Sequence, residues 1–325
     1  MIKDYKKVFD TIVEQTAKYI TDNDLKTMVL GISGGIDSTV VAAICYEVSI
    51  LTGVPLIGRS LPTKFNKEGE TAAADLVGKA FCHDYKVFNM DIPYRKFAHA
   101  ITFSEGLLSE GSPFTFDGVS PKQTPLANGN IQARLRMIYL YNLASVYNGI
   151  VMDTDNLTEN NLGYFTIHGD VGDFNPIGGL WKTEVFELAK FISEKYSLQS
   201  HFFETRDIQK ADNSDGARCY AVVKSLQLKP TAGLGITSSD LEELGAESYE
   251  QVDAILQEII AWKWYMERYK LYMPDTLQEQ KEKFLNDQKL LTIPFNIVKN
   301  VTERHFKSDF KRKQLPIKID RSLLV

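Results

Sequence analysis

Apolar and polar positions alternate in blocks along the first half of the chain. Over residues 5–20, Val8, Ile12, Val13, Tyr19 and Ile20 recur at helical spacing. Met28 to Ile32 is almost wholly apolar, the mark of a strand covered on both faces. An apolar helix follows from Thr39 to 52. The alternation continues with a strand over 54–61, a helix over 66–81, a strand over 85–90, a helix over 129–147 and a short strand over 149–152. Strands alternating with helices predict an α/β fold, a parallel sheet flanked by helices, with ligands bound beyond the carboxyl ends of the strands. Between 104 and 125 the pattern dissolves into Gly, Pro and Ser, which predicts a long loop. Residues 153–183 read mostly as loop, 181–196 as an amphipathic helix, 200–238 as irregular and 248–269 as a helix. No internal repeat or low-complexity segment breaks the chain, and residues 1–325 read as a single domain with a basic tail over about 299–325.

Composition narrows the classes. The 325 residues are 44% hydrophobic and 24% charged, ordinary for a globular protein, and the net charge of −5 gives no case for nucleic acid or an anionic membrane as partner. Cys45, Cys82 and Cys219 lie far apart with no C-x-x-C pair, which suits a reducing cytosol and a cytoplasmic protein. The opening MIKDYKKVFDTIVEQ is a mixed amphipathic helix rather than a secretory leader. No apolar run approaches the roughly 18 residues of a membrane span. Residues 299–318 hold seven Lys or Arg against two acids, a solvated surface or a tail that folds over a polyphosphate ligand.

Candidate chemistry concentrates after the strand at 28–32. Ser33-Gly34-Gly35-Ile36-Asp37-Ser38 joins that strand to a helix. Glycines there let several backbone N–H groups face one anion at a helix N-terminus. Ser33 and Ser38 add hydroxyls, and Asp37 offers a carboxylate to a phosphate-bound cation. The P-loop lysine is absent. The turn resembles the SGGxDS loop of the ATP pyrophosphatase superfamily; a βα turn with two incidental glycines is the plain alternative.

Three further segments carry polar clusters. Asn130 and Arg134 sit four apart and share a helix face, suited to carboxylate, phosphate or ribose, or else to ordinary surface ion pairs. Val151 to Glu159 ends a strand in Asp153, Thr154, Asp155, Asn156, Thr158 and Glu159. These are hard oxygens suited to Mg²⁺, or a polar loop with Thr154 or Thr158 as a helix N-cap. Asn175-Pro176-Ile177 precedes Lys182 at the head of a helix, where a lysine can neutralise phosphate or stay at the surface.

SGGIDS, GNIQARLRMIYLY, TDNLTENNLGYFT with HGD, and NPIGGLWKTEVFELA occur in the order and approximate spacing of the ammonia-using NAD⁺ synthetases. The resemblance covers roughly residues 5–270. It implies an adenine nucleotide alpha hydrolase-like fold. It also implies ATP-dependent amidation of deamido-NAD⁺ through an acyl-adenylate, releasing AMP and pyrophosphate, with Mg²⁺ as cofactor. Carried over position by position, it implies that Ser33, Gly34, Gly35, Ile36, Asp37 and Ser38 grip pyrophosphate. Asp37 and Glu159 would hold the metal, and Thr154, Lys182 and Thr231 would contact ATP. Arg59 is a further ATP contact on a looser match. Asn130, Arg134 and Asp170 would bind deamido-NAD⁺, with Asp170 near the ammonia site; Asp37, Asp170 and Lys182 would be the catalytic set. Family members are typically homodimers, so the same is expected here.

The chain departs from the family pattern in places. Asp153 stands where glycine is common, an extra carboxylate expected beside the nucleotide. Val171-Gly172-Asp173 replaces Gly-Gly-Ala-Asp, and Phe310-Lys311-Arg312 replaces His-Lys-Arg. Neither Cys45 nor Cys82 reads as an amidase nucleophile, so free or partner-delivered ammonia is the expected nitrogen source. Other adenylating enzymes of the superfamily, GMP-synthetase-like or thiolating, and a non-catalytic adenine-nucleotide-binding protein remain the competing readings.

Overall fold

The computed structural model describes residues 2–64, 66, 68–104, 125–199, 214–228, 239–269, 271, 273–287, 292–314, 317–318 and 321–323. The loop expected over 104–125 and the candidate Thr231 therefore lie almost wholly, and wholly, outside the described residues.

The chain begins α1 (Tyr5–Asp22), β1 (Thr27–Gly31), α2 (Ile36–Thr52), β2 (Leu56–Ser60), α3 (Glu68–Phe81), β3 (Asp84–Val87), α4 (Asp91–Ser104), α5 (Pro125–Val146) and β4 (Gly149–Val151). The four strands form a parallel sheet in the order β3-β2-β1-β4. Alternate residues of β1 face opposite layers. Met28 and Leu30 join a core with Ile12, Ile44 and Val185, while Val29 joins Ile57, Val151, Met137 and Leu140 on the other face. Both faces being covered is why β1 reads as an unbroken apolar run. The chain moves outward from β1 to β3, then returns to place β4 on the other side of β1. That reversal is the switch point where open α/β sheets bind ligands.

After β4 come α6 (Leu157–Leu162), β5 (Phe174–Asn175), α7 (Lys182–Gln199), α8 (Asp215–Gln227), α9 (Asp240–Leu244), α10 (Tyr249–Arg268), α11 (Leu277–Asp287), α12 (Phe295–Lys307) and β6 (Ile317–Lys318), which pairs with β5. A 3-10 turn over Asp309–Gln314 links the last two. Leu162, Val252, Ile255, Ile259, Phe284 and Val301 close a second core from α6, α10, α11 and α12.

The sequence expectations hold for the sheet and its helices, with corrections. The helix expected from Thr39 starts at Ile36, so Asp37 and Ser38 lie in its first turn. Residues 200–238 are not irregular throughout, because α8 packs against α2, α3 and α7. Ser214 caps its N-terminus, and Thr39 and Ser225 hydroxyls meet at 2.7 Å between α2 and α8. The loop expected over 153–183 contains α6 and β5.

Three cations of the basic tail, Arg304, Lys311 and Arg312, are tied to the end of α6, while Lys299 and Lys307 stay exposed. These three bind carbonyls at and just beyond the end of α6. Lys311 Nζ donates to Gly163 O and Phe165 O at 2.8 and 2.5 Å. Arg312 Nη1 donates to Asn161 O at 2.9 Å, and Arg304 Nε donates to Leu162 O at 2.9 Å. Cations on the last carbonyls of a helix are favourable, and here they anchor the element that carries Glu159. Arg312→Ala is expected to lower unfolding free energy by about 1–3 kcal/mol, because Asn161 and His305 carbonyls lose a charged donor. Urea unfolding at unchanged slope measures this, and a shift under about 0.5 kcal/mol, the level of an ordinary surface substitution, counts against the clamp.

Candidate active site

A cleft of about 310 Å³ opens at the carboxyl ends of β1 and β2. The turn after β1 forms one wall. Gly34 takes φ 84°, in the left-handed region. Ser33 Oγ lies 2.9 Å from Ser38 Oγ and accepts from Gly35 N at 3.2 Å, and Ser38 Oγ donates to Gly35 O at 3.1 Å. Ser33, Gly35, Ile36 and Asp37 line the cleft, whereas Gly34 and Ser38 support the turn from behind.

Opposite stands α6, whose N-cap is Asn156 rather than Thr154 or Thr158. Asn156 Oδ1 accepts from Glu159 N at 3.0 Å, and Glu159 Oε2 accepts from Asn156 N at 3.2 Å, a complete capping box. Asn156 Nδ2 also donates to Asp37 Oδ1 at 2.9 Å. The cap therefore ties α6 to the turn after β1, with residues 119 apart in sequence.

Lys182 joins the two walls. Its Nζ donates to Asp37 Oδ2 at 2.6 Å and to Glu159 Oε1 at 2.9 Å. The side chain is only 2% exposed. Burial opposes its charge, but the carboxylates of Asp37 and Glu159 hold its pKa well above the ordinary lysine value. Burial and the nearby Asp37 push Glu159 up to about 7, with Lys182 pulling the other way. Asp253, on α10, positions this lysine. Its Oδ2 accepts from Thr183 N at 3.1 Å and its Oδ1 from Thr158 Oγ1 at 2.5 Å, while Thr158 Oγ1 accepts from Lys182 N at 2.8 Å. The first turn of α7 is thus capped from outside.

Other candidates are placed differently. Thr154 and Asp170 line the cleft. Asp170 Oδ2 accepts from Thr166 N at 2.7 Å. Asn130 and Arg134 lie outside the cleft lining and grip the same loop: Asn130 Oδ1 accepts from Thr166 Oγ1 at 2.9 Å and Arg134 Nε donates to Ile167 O at 3.2 Å. Arg59 reaches the cleft, but its guanidinium donates to Asp84 Oδ2 at 2.7 Å and to Gly58 O at 2.8 Å, so it braces β2 against β3. Asp153 does not line the cleft, though Met152 and Thr154 on either side of it do. It is buried, and its two oxygens accept from Asp155 N at 2.7 Å and Gly172 N at 2.9 Å, which pins the loop after β4. Burial raises its pKa to about 7.

Two cleft residues were not foreseen. Arg136 is half-buried, lines the cleft, and makes no ion pair among the described residues. Its Nε donates to Leu61 O at 2.9 Å and Nη2 to Asn66 Oδ1 at 3.3 Å. Burial lowers its pKa. Asp240, at the start of α9, is buried and accepts from Tyr249 Oη at 3.2 Å. The signal for Arg136 was present in Arg134-Leu135-Arg136: residues two apart on a helix face nearly opposite ways, so one arginine of the pair had to face inward.

Asp37, Glu70, Glu159, Asp170 and Asp240 outnumber Arg59, Arg136 and Lys182 around this cleft. Polyphosphates enter such a cleft together with a divalent cation. Among the described residues no group of three or more His, Cys, Asp or Glu forms a metal cage. Two hard carboxylates, with the remaining positions left to phosphate and water, is the manner in which Mg²⁺ is usually bound.

A glycine turn at a helix N-terminus, two facing carboxylates and a bridging lysine lie together at the switch point of an α/β sheet, where such sheets bind ligands. The family model described as NAD synthase matches residues 8–315, and the chain belongs to that family. It is 31% identical over 253 residues to the NH(3)-dependent NAD(+) synthetase of Methanococcoides burtonii, covering 78% of this chain and 79% of that one. It is 32% identical over 313 residues to the NH(3)-dependent NAD(+) synthetase of Pyrococcus horikoshii, covering 95% and 94%. Among solved structures, NMN synthetase from Francisella tularensis superposes with TM-score 0.64 at 24% identity over 95% of this chain and 96% of that one, a likeness of fold.

Proposed function

We propose that this chain amidates deamido-NAD⁺ to NAD⁺ with ammonia and ATP. The observation that carries the reading is the meeting of Asp37, Glu159 and Lys182, from three distant segments, beside the Ser33–Ser38 turn. Family membership supports the same reaction. A nicotinate carboxylate oxygen attacks the α-phosphorus of ATP, and the bond to the β-phosphate oxygen breaks to release pyrophosphate. Ammonia then attacks the acyl carbon of the mixed anhydride. The bond from that carbon to the AMP oxygen breaks, and the nitrogen loses a proton.

The N–H groups after Gly34 and the Lys182 ammonium receive the charge gathering on pyrophosphate. Asp37 and Glu159 would hold Mg²⁺, which supplies neutralisation of phosphate charge. Thr154 contacts ATP. Asn130 and Arg134 shape the 166–170 loop so that Asp170 faces the acyl end of deamido-NAD⁺. Holding two anions in register is the larger part of catalysis here.

Among the described residues, Arg136 is the one cleft cation without a carboxylate in contact, and its fork suits a phosphate or carboxylate of substrate. Arg136→Met is expected to raise KM for ATP or deamido-NAD⁺ about tenfold or more, the loss of one charge-assisted contact. Steady-state kinetics with each substrate varied shows which; unchanged KM for both would remove Arg136 from the site.

A homodimer fits the surface of α5. This helix buries Met137, Leu140 and Ala144, yet leaves Ile138 and Val146 exposed, and Ile92 and Phe97 of the neighbouring α4 are exposed as well. Exposed apolar side chains gathered into one patch would suit an interface. Light scattering should give twice the chain mass, and Ile138→Asp should shift it toward the monomer. A monomer for the unaltered chain ends this reading. No described helix is long and apolar enough to cross a membrane, and unpaired Cys45, Cys82 and Cys219 accord with a cytosolic enzyme.

The function itself is tested by supplying Mg-ATP, deamido-NAD⁺ and ammonium and following NAD⁺ and pyrophosphate together, with nicotinate mononucleotide run alongside. Equal release of both products from deamido-NAD⁺ is expected. Amidation of the mononucleotide alone, or pyrophosphate without amide, would reassign the acceptor.

A further inference from the structure

Lys182 occupies the place between two carboxylates that a divalent cation would take. Its Nζ is 2.6 Å from Asp37 Oδ2 and 2.9 Å from Glu159 Oε1. The second Asp37 oxygen is held by Asn156 Nδ2 at 2.9 Å, and the second Glu159 oxygen by the backbone N of Asn156 at 3.2 Å. Each carboxylate thus has one oxygen fixed by α6 and one given to the lysine. A small dication bridging the same two oxygens and an ammonium at these distances exclude each other, by contact and by like charge. An ammonium held by both carboxylates has at most one N–H left for a phosphate.

We propose that Lys182 is a placeholder cation that keeps the metal site closed until nucleotide arrives, so that the divalent cation and ATP bind synergistically. This rests on the reading of Asp37 and Glu159 as metal ligands given above. In the resting protein the lysine compensates two carboxylates that would otherwise repel across the cleft. With nucleotide present, Lys182 Nζ would leave the carboxylates for phosphate, and Asp37 and Glu159 would then be free to hold the accompanying metal. Neither exchange is favourable alone. Metal without nucleotide would strand the buried ammonium, and nucleotide without metal would strand the carboxylates. Linkage then requires each ligand to strengthen the binding of the other. Thr158 and Asp253 fix the backbone of Lys182, so only its flexible four-carbon stem needs to move.

The test is Mn²⁺ binding to the full chain without nucleotide, read from the loss of the free-ion electron paramagnetic resonance signal. Lys182→Met is expected to bind Mn²⁺ about tenfold more tightly than the unaltered protein, within the usual range of site coupling. Lys182→Gln, which keeps a donor but no charge, should do the same, and Lys182→Arg, which keeps the charge, should not. The Gln and Arg variants decide the matter if the Met variant fails to fold. Uncharged variants that bind Mn²⁺ no better than the unaltered protein overturn the proposal, as does a gain shared by the Arg variant. NAD⁺ formation by the unaltered protein is measured separately. A failed placeholder with NAD⁺ formed leaves the function standing, and tighter Mn²⁺ binding by the uncharged variants without NAD⁺ formation means the reaction is misread.

Discussion

Asp37→Asn is expected to lower kcat for NAD⁺ formation by about two to three orders of magnitude while the protein stays folded. That is the typical cost of removing one preorganised electrostatic group from a site where charge develops. Asp37 sits in the first turn of α2, where both oxygens are engaged: Oδ1 by Asn156 at 2.9 Å and Oδ2 by Lys182 at 2.6 Å. Asparagine has the same shape and keeps one acceptor. Its amide nitrogen then faces a donor, either Asn156 Nδ2 or Lys182 Nζ. Losing one of the two bonds costs about 1–2 kcal/mol of stability, partly offset because fewer carboxylates crowd the cleft. Catalysis suffers far more, since a neutral amide holds a dication poorly and leaves Lys182 with only Glu159 as its counter-ion. Product formation, a thermal melt and a Mg²⁺ titration together check this. A variant within tenfold of the unaltered kcat would take Asp37 out of the catalytic set.

The parts of this site that are legible in the sequence are those fixed locally. The strand Met28–Ile32 and the Ser33–Ser38 turn announce themselves, because an unbroken apolar run and a glycine with φ 84° are both properties of adjacent residues. Lys182 and Glu159 were legible only through the motifs around them. Their meeting depends on the Asn156 cap reaching across to Asp37, a contact 119 residues long. Where tertiary partners choose the orientation, residue type misleads. Asp153 has the chemistry of a ligand, yet the N–H of Gly172 draws its carboxylate inward. Arg59 lines the cleft as a phosphate contact would, and Asp84 on the neighbouring strand sets its orientation. On α5 the docking of the helix on β1 and β4 decides which arginine enters the cleft, and Arg136 does. The helix α8 was hidden because its buried stripe, Arg218, Ala221, Val222 and Ser225, is half polar. Arg218 is buried because Ala80 O and Asp215 accept its guanidinium and the Tyr46 ring covers it at 3.9 Å.

Gly34→Ala is expected to destabilise the protein by about 2–5 kcal/mol and to raise KM for ATP about tenfold or more, whereas Gly35→Ala should leave stability within about 1 kcal/mol. Two independent costs add at Gly34. A side chain at φ 84° carries about 1–2 kcal/mol of backbone strain. A Cβ there would also lie 2.4 Å from Glu70 O and 2.6 Å from Ala74 N, both in the backbone of α3, and overpacking of that kind costs about 1–3 kcal/mol. Neither neighbour is a flexible side chain that can swing aside, so relief requires the turn to back away from α3. Backing away carries Gly35 N and the Asp37 side chain with it, which is why nucleotide affinity falls along with stability. At Gly35 the backbone is extended, with φ −70° and ψ 164°, and a Cβ would meet only Ser33 Oγ at 3.4 Å. Any loss of activity at that position without loss of stability would then come from crowding the phosphate itself. Urea unfolding of both variants, with ATP kinetics on each, separates the two cases. Equal destabilisation at the two glycines would mean that α3 does not hold the turn in place.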